Sequence, residues 1–342
     1  MRIVVDAMGA DCAPFPEVDG TIQAVRDWDD INVILVGKKD MLETLIKGKL
    51  SKNKGDEKLR SRIEIVNADE VITMSDHPAQ AYKQKPNSSI VVAAKLVGEE
   101  KGDALVSAGN TGAVVVTSLF AIGRIPGVLR PAIIIPMPSA NGVTALLDVG
   151  GNVDCKPQHL VQFAVMGTLY SKHILNVNNP TVGLLSIGEE DTKGNELTAN
   201  TKDLIEKANL NYKGHVEGKD IVRGITDVVV CDGFVGNVIL KFGEGVVEFI
   251  FDSIKEDVAK GGIFSKLGAL LMKSIFRGMK KKFAFDEYGG APLIGIKKPV
   301  IITHGRANSK AIKNSIRVAA KFIRDHINEE IEANISKLGG EK

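Results

Sequence analysis

Aromatic side chains, cysteines and long apolar runs are all scarce in this 342-residue chain, and each scarcity removes a class of function. Aromatics make up 5% of the residues and are not interleaved with lysine or arginine, so no surface for stacking nucleic-acid bases is encoded. A net charge of +2 argues against a broad basic face that tracks a phosphate backbone, and no nucleic-acid partner is expected. The three cysteines, Cys12, Cys155 and Cys231, are widely spaced with no pair at zinc-ligand or redox spacing. A reducing compartment and no metal are the simple reading. Nothing approaches about eighteen uninterrupted apolar residues, and MRIVVDAMG has neither a basic region nor a cleavage site. The expectation is a cytoplasmic chain that does not span a membrane. Also missing are a Walker sequence, a G-x-G-x-x-G after the first strand and an internal repeat, which argues against a nucleoside triphosphate or a Rossmann cofactor. No cofactor is expected.

What is present is a soluble globular composition, 44% hydrophobic with 25% charged, long enough for a large core. Short apolar runs alternate with helix-period segments. Strands are expected at Arg2 to Asp6, Ile31 to Gly37, Ile63 to Asn67, Asp103 to Ser107, Thr181 to Ile187, Asp227 to Cys231 and Pro299 to Thr303, with a hairpin of Ile133 to Pro136 and Val143 to Val149 turning through SANG. Helices are expected up to Asp27 and at Asp40 to Gly48, Ser88 to Lys101 under a serine cap, Pro157 to His173, Glu196 to Ala208, after DGFVGN to about Lys260, and through most of Ala307 to Leu338. Leu50 to Arg62 reads as a surface loop, and Pro78 and Pro86 argue against long regular structure between Met74 and Ser89. The alternation implies a single α/β domain over residues 1–342, three-layer α/β/α around a mainly parallel sheet.

In such sheets ligands gather beyond the carboxyl ends of the strands. Six loops follow expected strands: MGADCAP, SAGNTGA, DVGGN, GEEDTKGN, DGFVGN and HGRAN, each joining glycine to Asp, Asn, Glu or His. Glycine lets backbone approach a ligand closely, and a capped helix start leaves amides unpaired for an anion. All six are expected on one edge.

One segment departs from the pattern. Gly261 to Phe283 sets Ile263, Phe264, Leu267, Leu271 and Ile275 on one side at helical spacing and Lys266, Lys273, Arg277 and Lys280 on the other. Such a helix suits either an anionic membrane surface or an interface within or between chains.

Together DAMGAD, SAGNTGA, DVGGN, EDTKGNE, DGFVGN, YGGA and HG, in that order from Met1 to the C-terminal helix, resemble the bacterial phosphate acyltransferase family of phospholipid synthesis. The resemblance implies acyl transfer from an acyl carrier protein thioester to inorganic phosphate, giving acyl phosphate. It also implies a fold shared with phosphotransacetylase and the isocitrate and isopropylmalate dehydrogenases. It further implies a homodimer on the membrane periphery, whose product feeds a membrane glycerol-3-phosphate acyltransferase. The chain departs from the family at Ala10, Cys12, Lys83 and Ala307, where glycine, His or Tyr, arginine and serine are usual.

That reaction asks little of acids and bases, since a thiol ionises at about 8.5 and leaves readily. Positioning and oxyanion stabilisation carry it. Asn110, Thr111 and Gly112 together with Gly233 to Asn237 are expected to hold phosphate, with charge from Lys193 or Lys241. Asp6, Asp11, Asp148 and Asp232 orient donors, and His304 protonates sulfur or binds the carbonyl oxygen. Gly9, Asn152, Glu190 and Asn195 complete the expected substrate loops. Leu267, Leu271, Ile275, Lys273 and Arg277 are the expected membrane contacts, and basic residues of that segment or around Lys83 also suit the acidic carrier protein. A phosphotransacetylase or an NAD-dependent decarboxylating dehydrogenase on the same fold, or a membrane-associated scaffold, are the competing readings.

Overall fold

The computed structural model describes residues 1–51, 55–283 and 288–338, the side chains at 280–282 excepted. Its first part is β1 (Arg2–Asp6), α1 (Phe15–Asp27), β2 (Asn32–Gly37), α2 (Lys39–Leu50), a 3-10 helix (Asp56–Arg62), β3 (Ile63–Asn67), α3 (Pro78–Gln84), α4 (Ser89–Gly98), β4 (Ala104–Ser107) and α5 (Thr111–Ala121). The middle part is β5 (Ala132–Ser139), β6 (Gly142–Leu147), α6 (Pro157–His173), β7 (Val182–Leu185), α7 (Glu196–Ile205), β8 (Tyr212–Val216), α8 (Gly218–Arg223) and β9 (Val228–Val230). Then come α9 (Gly233–Lys260), α10 (Ile263–Leu271), α11 (Lys273–Phe283), β10 (Ala291–Ile294), β11 (Val300–Ile302), α12 (Ser309–Arg324) and α13 (Ile327–Leu338).

The strands form one eleven-stranded sheet in the order β3-β2-β1-β4-β11-β10-β5-β6-β9-β7-β8. In β1, Ile3, Val4 and Val5 are all fully buried, as expected for a strand covered on both faces. Ile3 and Val5 join one core with α1 and α12, while Val4 joins a second core with α4 and α5. The result is the three-layer α/β/α arrangement.

Strand direction reverses across this sheet. β3, β2, β1, β4 and β11 are mutually parallel. β10 runs antiparallel to both β11 and β5, and β5 antiparallel to β6. β6, β9, β7 and β8 are parallel to one another, and so opposite in sense to the first five. The six glycine loops therefore do not share an edge: MGADCAP, SAGNTGA and HGRAN leave one edge, and DVGGN, DGFVGN and GEEDTKGN leave the other.

Smaller differences have local causes. The expected loop at Leu50 to Arg62 closes in the 3-10 helix, because Leu59 is buried and the Arg62 guanidinium donates to the carbonyls of Val25, Trp28 and Ile31; residues 52–54 lie outside the described residues. The prolines of Met74 to Ser89 limit regular structure there to the seven residues of α3. Ser88 stands at the start of α4, but its hydroxyl is buried without a hydrogen-bond partner and does not cap. β8, α8 and β10 escape pattern reading: β10 carries Pro292, a residue that argues against a central strand, yet it pairs on both sides. The amphipathic segment is two helices, not one, because Met272 leaves helical geometry; Ile275 thus belongs to a different helix from Leu267 and Leu271, and the side chain of Lys280 lies outside the described residues.

Glu17 in the first turn of α1 is fully buried, and neither carboxylate oxygen has a hydrogen-bond partner. Burial pushes its carboxyl up from an ordinary 4.5 to about 8. The native state keeps a proton that the unfolded chain releases, so this group subtracts stability as pH rises from about 4.5 to about 8. In urea unfolding, the stability of Glu17→Gln relative to the parent should rise between pH 5 and pH 8.5, by up to roughly 4 kcal/mol. Equal differences at both pH values would show that the carboxyl is not held neutral.

Candidate active site

β1, β4 and β11 are neighbours, with Asp6 opposite Ser107 and Ser107 opposite Ile302, so the loops that follow them emerge side by side. Buried side chains tie these loops together. The Asp6 carboxylate accepts from the Ser107 hydroxyl at 2.8 Å and from the Met8 amide at 3.3 Å, and the Ser107 oxygen accepts in turn from the Gly109 amide at 3.1 Å. Burial raises the Asp6 pKa, and the hydrogen bonds it accepts oppose that rise. Gly9 must be glycine, because a Cβ there would sit 2.6 Å from the Asp6 carboxylate and 2.8 Å from the Gly109 Cα. The third loop joins through the Asp11 amide, which donates to the Gly305 carbonyl at 2.9 Å.

Asn110 caps α5, its Oδ1 accepting from the Ala113 amide at 3.1 Å. Its Nδ2 donates to the carbonyls of Thr73, Met74 and Asp76 at 3.2 to 3.3 Å. Both polar ends of the side chain are engaged in holding protein. Beside it the first-turn amides of Thr111 and Gly112 stand at the positive end of a helix, where an anion is favoured. Asp76, in the clasped segment, is itself fixed by Lys85 at 2.5 Å and by the Thr73 amide at 2.7 Å; the Lys85 contact holds its carboxyl down at about 2.

His304 follows β11 and is exposed. Its Nδ1 accepts from the Arg306 amide at 3.1 Å, which places the proton of the neutral ring on Nε2. Nε2–H is then a donor available to a ligand. Asp11, Gly109, Thr111, His304 and Gly305 line one side of a cavity of about 1540 Å³; α9 and α8 supply much of the remaining wall.

The other loops make a separate group. Asp148, fully buried after β6, accepts from the amides of Ile133, Gly150, Gly151 and Asn152 and from the Asn152 side chain, all within 3.2 Å. Burial raises its pKa against those bonds. Asp232 caps α9 through the Val235 amide at 2.9 Å, and the Gly233 amide donates to the Asn152 carbonyl at 2.8 Å. Gly236 packs so closely on Asp148 that a Cβ would lie 1.9 Å from its carbonyl oxygen. Asn237 lies beside Gly150. Asp148, Asn152, Asp232, Gly233 and Asn237 thus knit α9 to the sheet, and none of them lines the cavity.

In GEEDTKGN, Glu190, Lys193 and Asn195 are exposed, and Asn195 is occupied in a capping box with Thr198. Glu189 of this loop lies 3.8 Å from the cavity-lining Lys219. Lys241 does line the cavity, paired with Glu244 at 2.8 Å. Of the residues expected from sequence, the structure brings together Asp6, Gly9, Asp11, Asn110, Thr111, Gly112 and His304, with Lys241 across the cavity. Sequence reading missed the linking role of Ser107 and the walls given by Met137, Ile221 and Arg306. Ser107 carried a signal, as a polar residue closing an apolar strand. Ile221 carried none.

Residues 1–330 match the family described as fatty acid synthesis protein. The phosphate acyltransferase of Aquifex aeolicus (strain VF5) is 48% identical over 338 residues, covering 99% of this chain and 98% of its own length. That of Dictyoglomus thermophilum is 46% identical over 340 residues, with the same coverages. Among solved structures, a phosphotransacetylase from Streptococcus pyogenes superposes with a TM-score of 0.59 over 95% of this chain and 94% of its own; at 18% identity the likeness is one of fold.

The clasp formed by Asn110 can be tested apart from any activity. Asn110→Ala should cost about 1 kcal/mol or more in urea unfolding through the lost cap, and should speed amide exchange in Thr73 to Asp76. Unchanged exchange in that segment would show that the three carbonyl contacts do not hold it.

Proposed function

The chain belongs to the fatty acid synthesis protein family and is an acyltransferase; from that premise we propose that it moves a fatty acyl group from an acyl carrier protein thioester to inorganic phosphate, giving acyl phosphate. The observation that supports this best is the meeting of the first turn of α5 at Thr111 with the Nε2–H of His304 on one side of a cavity whose other wall joins the apolar residues Leu240, Val247 and Phe251 to charged ones such as Lys241 and Glu244. An anion, a carbonyl and a chain each find a matching surface there.

In this reading phosphate lies against the amides of Thr111 and Gly112. One of its oxygens attacks the thioester carbon, forming the new C–O bond while the carbonyl π electrons move to oxygen. Collapse of the tetrahedral adduct breaks the C–S bond, and sulfur leaves with the electron pair. His304 donates a hydrogen bond from Nε2 to that sulfur as its charge develops, and the proton that makes the thiol comes from the hydrogenphosphate, which the acyl phosphate releases. Asp6, Ser107 and Asn110 do not touch substrate; they hold the backbone donors in place, so that no reorganisation is needed as charge develops. Cys231 is buried and Cys155 half-buried, burial raising both thiols and the latter to about 12, which fits direct transfer better than a thioester on either.

The membrane side of the reading rests on α10 and α11. No residue of α10 is buried; Phe264 is 86% and Leu271 76% exposed. With Lys266, Lys273 and Arg277 alongside, this surface suits an anionic bilayer that receives an apolar product for a membrane glycerol-3-phosphate acyltransferase. The outward apolar face of α9, where only Gly233 and Gly236 are buried, suits a second copy in a homodimer.

Hexadecanoyl carrier protein and phosphate should give acyl phosphate, trapped with hydroxylamine; turnover only with acetyl-coenzyme A or NAD would defeat the proposal. His304→Ala should lower kcat about 100-fold or more, and the loss should shrink with a thioester whose thiol is more acidic. A loss independent of the leaving group would assign His304 to the oxyanion instead. Replacing both Leu267 and Leu271 with Glu should abolish co-sedimentation with anionic vesicles at unchanged far-UV circular dichroism; undiminished sedimentation would move the membrane contact elsewhere.

A further inference from the structure

Two faces of α9 differ in burial. Phe249 and Ile250 are exposed outward at 72% and 47%. Leu240, Gly243, Val247 and Phe251 are only partly exposed and line the cavity, and their spacing of three, seven and eleven residues sets them in one stripe along the helix. Met137, at the end of β5, and Ile221 of α8 face the cavity as well. The space between these walls is continuous with the side lined by Gly109, Thr111 and His304, and the whole, about 1540 Å³, exceeds the roughly 300–1,000 Å³ usual for compact ligands.

We infer that the trough between α9 and Met137 and Ile221 seats the hydrocarbon chain of the acyl group, and that Gly243 sets how much chain it admits; this rests on the acyl-transfer reading above. A polar head held by amides and an imidazole, continuous with a long apolar trough, fits one molecule that is reactive at one end and aliphatic at the other. The facing stripe of Leu240, Val247 and Phe251 against Met137 and Ile221 is hydrocarbon, while Lys241, Glu244, Glu248, Asp252 and Lys255 also line the cavity from α9. Gly243 faces the trough with open space in front of it. A Cβ there would have a single neighbour within 4 Å, the Met137 methyl at 3.9 Å, so a larger side chain projects into the trough without striking backbone. Glycine inside a helix also weakens it relative to other residues, which makes the empty position a cost to folding that chain accommodation explains.

Each buried methylene is worth about fourfold in binding, so a blocked trough should be read most clearly in long chains. In Gly243→Leu the ratio of kcat/KM for hexadecanoyl to butyryl carrier protein should fall at least tenfold, and binding of the fluorescent fatty acid cis-parinarate should weaken by a similar factor. Gly245→Leu, on the same helix at a position that does not line the cavity, should change neither. An unchanged ratio with unchanged cis-parinarate binding overturns the inference while leaving acyl transfer intact. If instead Gly243→Leu alters the oligomeric state and leaves the ratio alone, a second copy fills the trough and the inference again falls. Weakened cis-parinarate binding in a protein whose parent shows no phosphate-dependent thioester loss would uphold the chain site and reject the reaction.

Discussion

The reversal of strand direction at β10 decides where everything else lies. Four residues, Ala291–Ile294, pair antiparallel with β11 on one side and β5 on the other, and the hairpin of β5 and β6 completes the turnabout. Backbone hydrogen-bonding groups inside a sheet must be satisfied, so an inserted strand imposes its direction on the order of its neighbours. One consequence is that three strands of the first half, β1, β4 and β11, aim their loops at a common place. Another is that α9, which starts at the opposite edge beside Asp148, runs back across the sheet and walls that place in.

Within the candidate site, buried side chains hold the loops in place. Asp6 is buried beneath the loops, Ser107 relays its hydrogen bond to Gly109, and Asn110 spends every polar atom on neighbouring protein. Facing the cavity there are a helix start and one imidazole nitrogen, with Asp11 and Arg306 beside them. Acyl transfer from a thioester suits so sparse a set, because the leaving group is good and the main demand is that two partners be held near each other in a fixed electrostatic frame. Asp148 shows the same economy at the other edge, where its five accepted hydrogen bonds build the junction from which α9 departs. The two edges thus divide the work: one presents backbone donors, and the other anchors the wall that faces them.

The apolar surfaces follow a related division. α9 buries almost nothing within its own chain, yet its faces are unequal, with one half-covered stripe turned toward the cavity and an outward face rich in phenylalanine. α10 continues the exposed surface beyond it.

Much of this was legible in the residues. Most expected strands and helices lie close to their observed limits, β8, α8 and β10 being missed, since periodicity, capping and turn preferences act over a few residues. That Asp6, Gly9, Asp11, Thr111, Gly112 and His304 lie in loops closing buried strands was recognisable, because polar residues and glycines end an apolar run there. Asp148, Asp232 and Asn195 carry the same signal and stand in a junction and two helix caps, and nothing local separates a cap that holds a helix from one that holds a ligand. Residue order alone therefore sufficed for the α/β class, the family and the kinds of loop. Which loops meet, and that α9 faces them across a trough, followed from the pairing of β10 with strands far away in the chain. Such pairing is an energy shared between distant segments, and a Pro-bearing stretch of four residues carries no local mark of it.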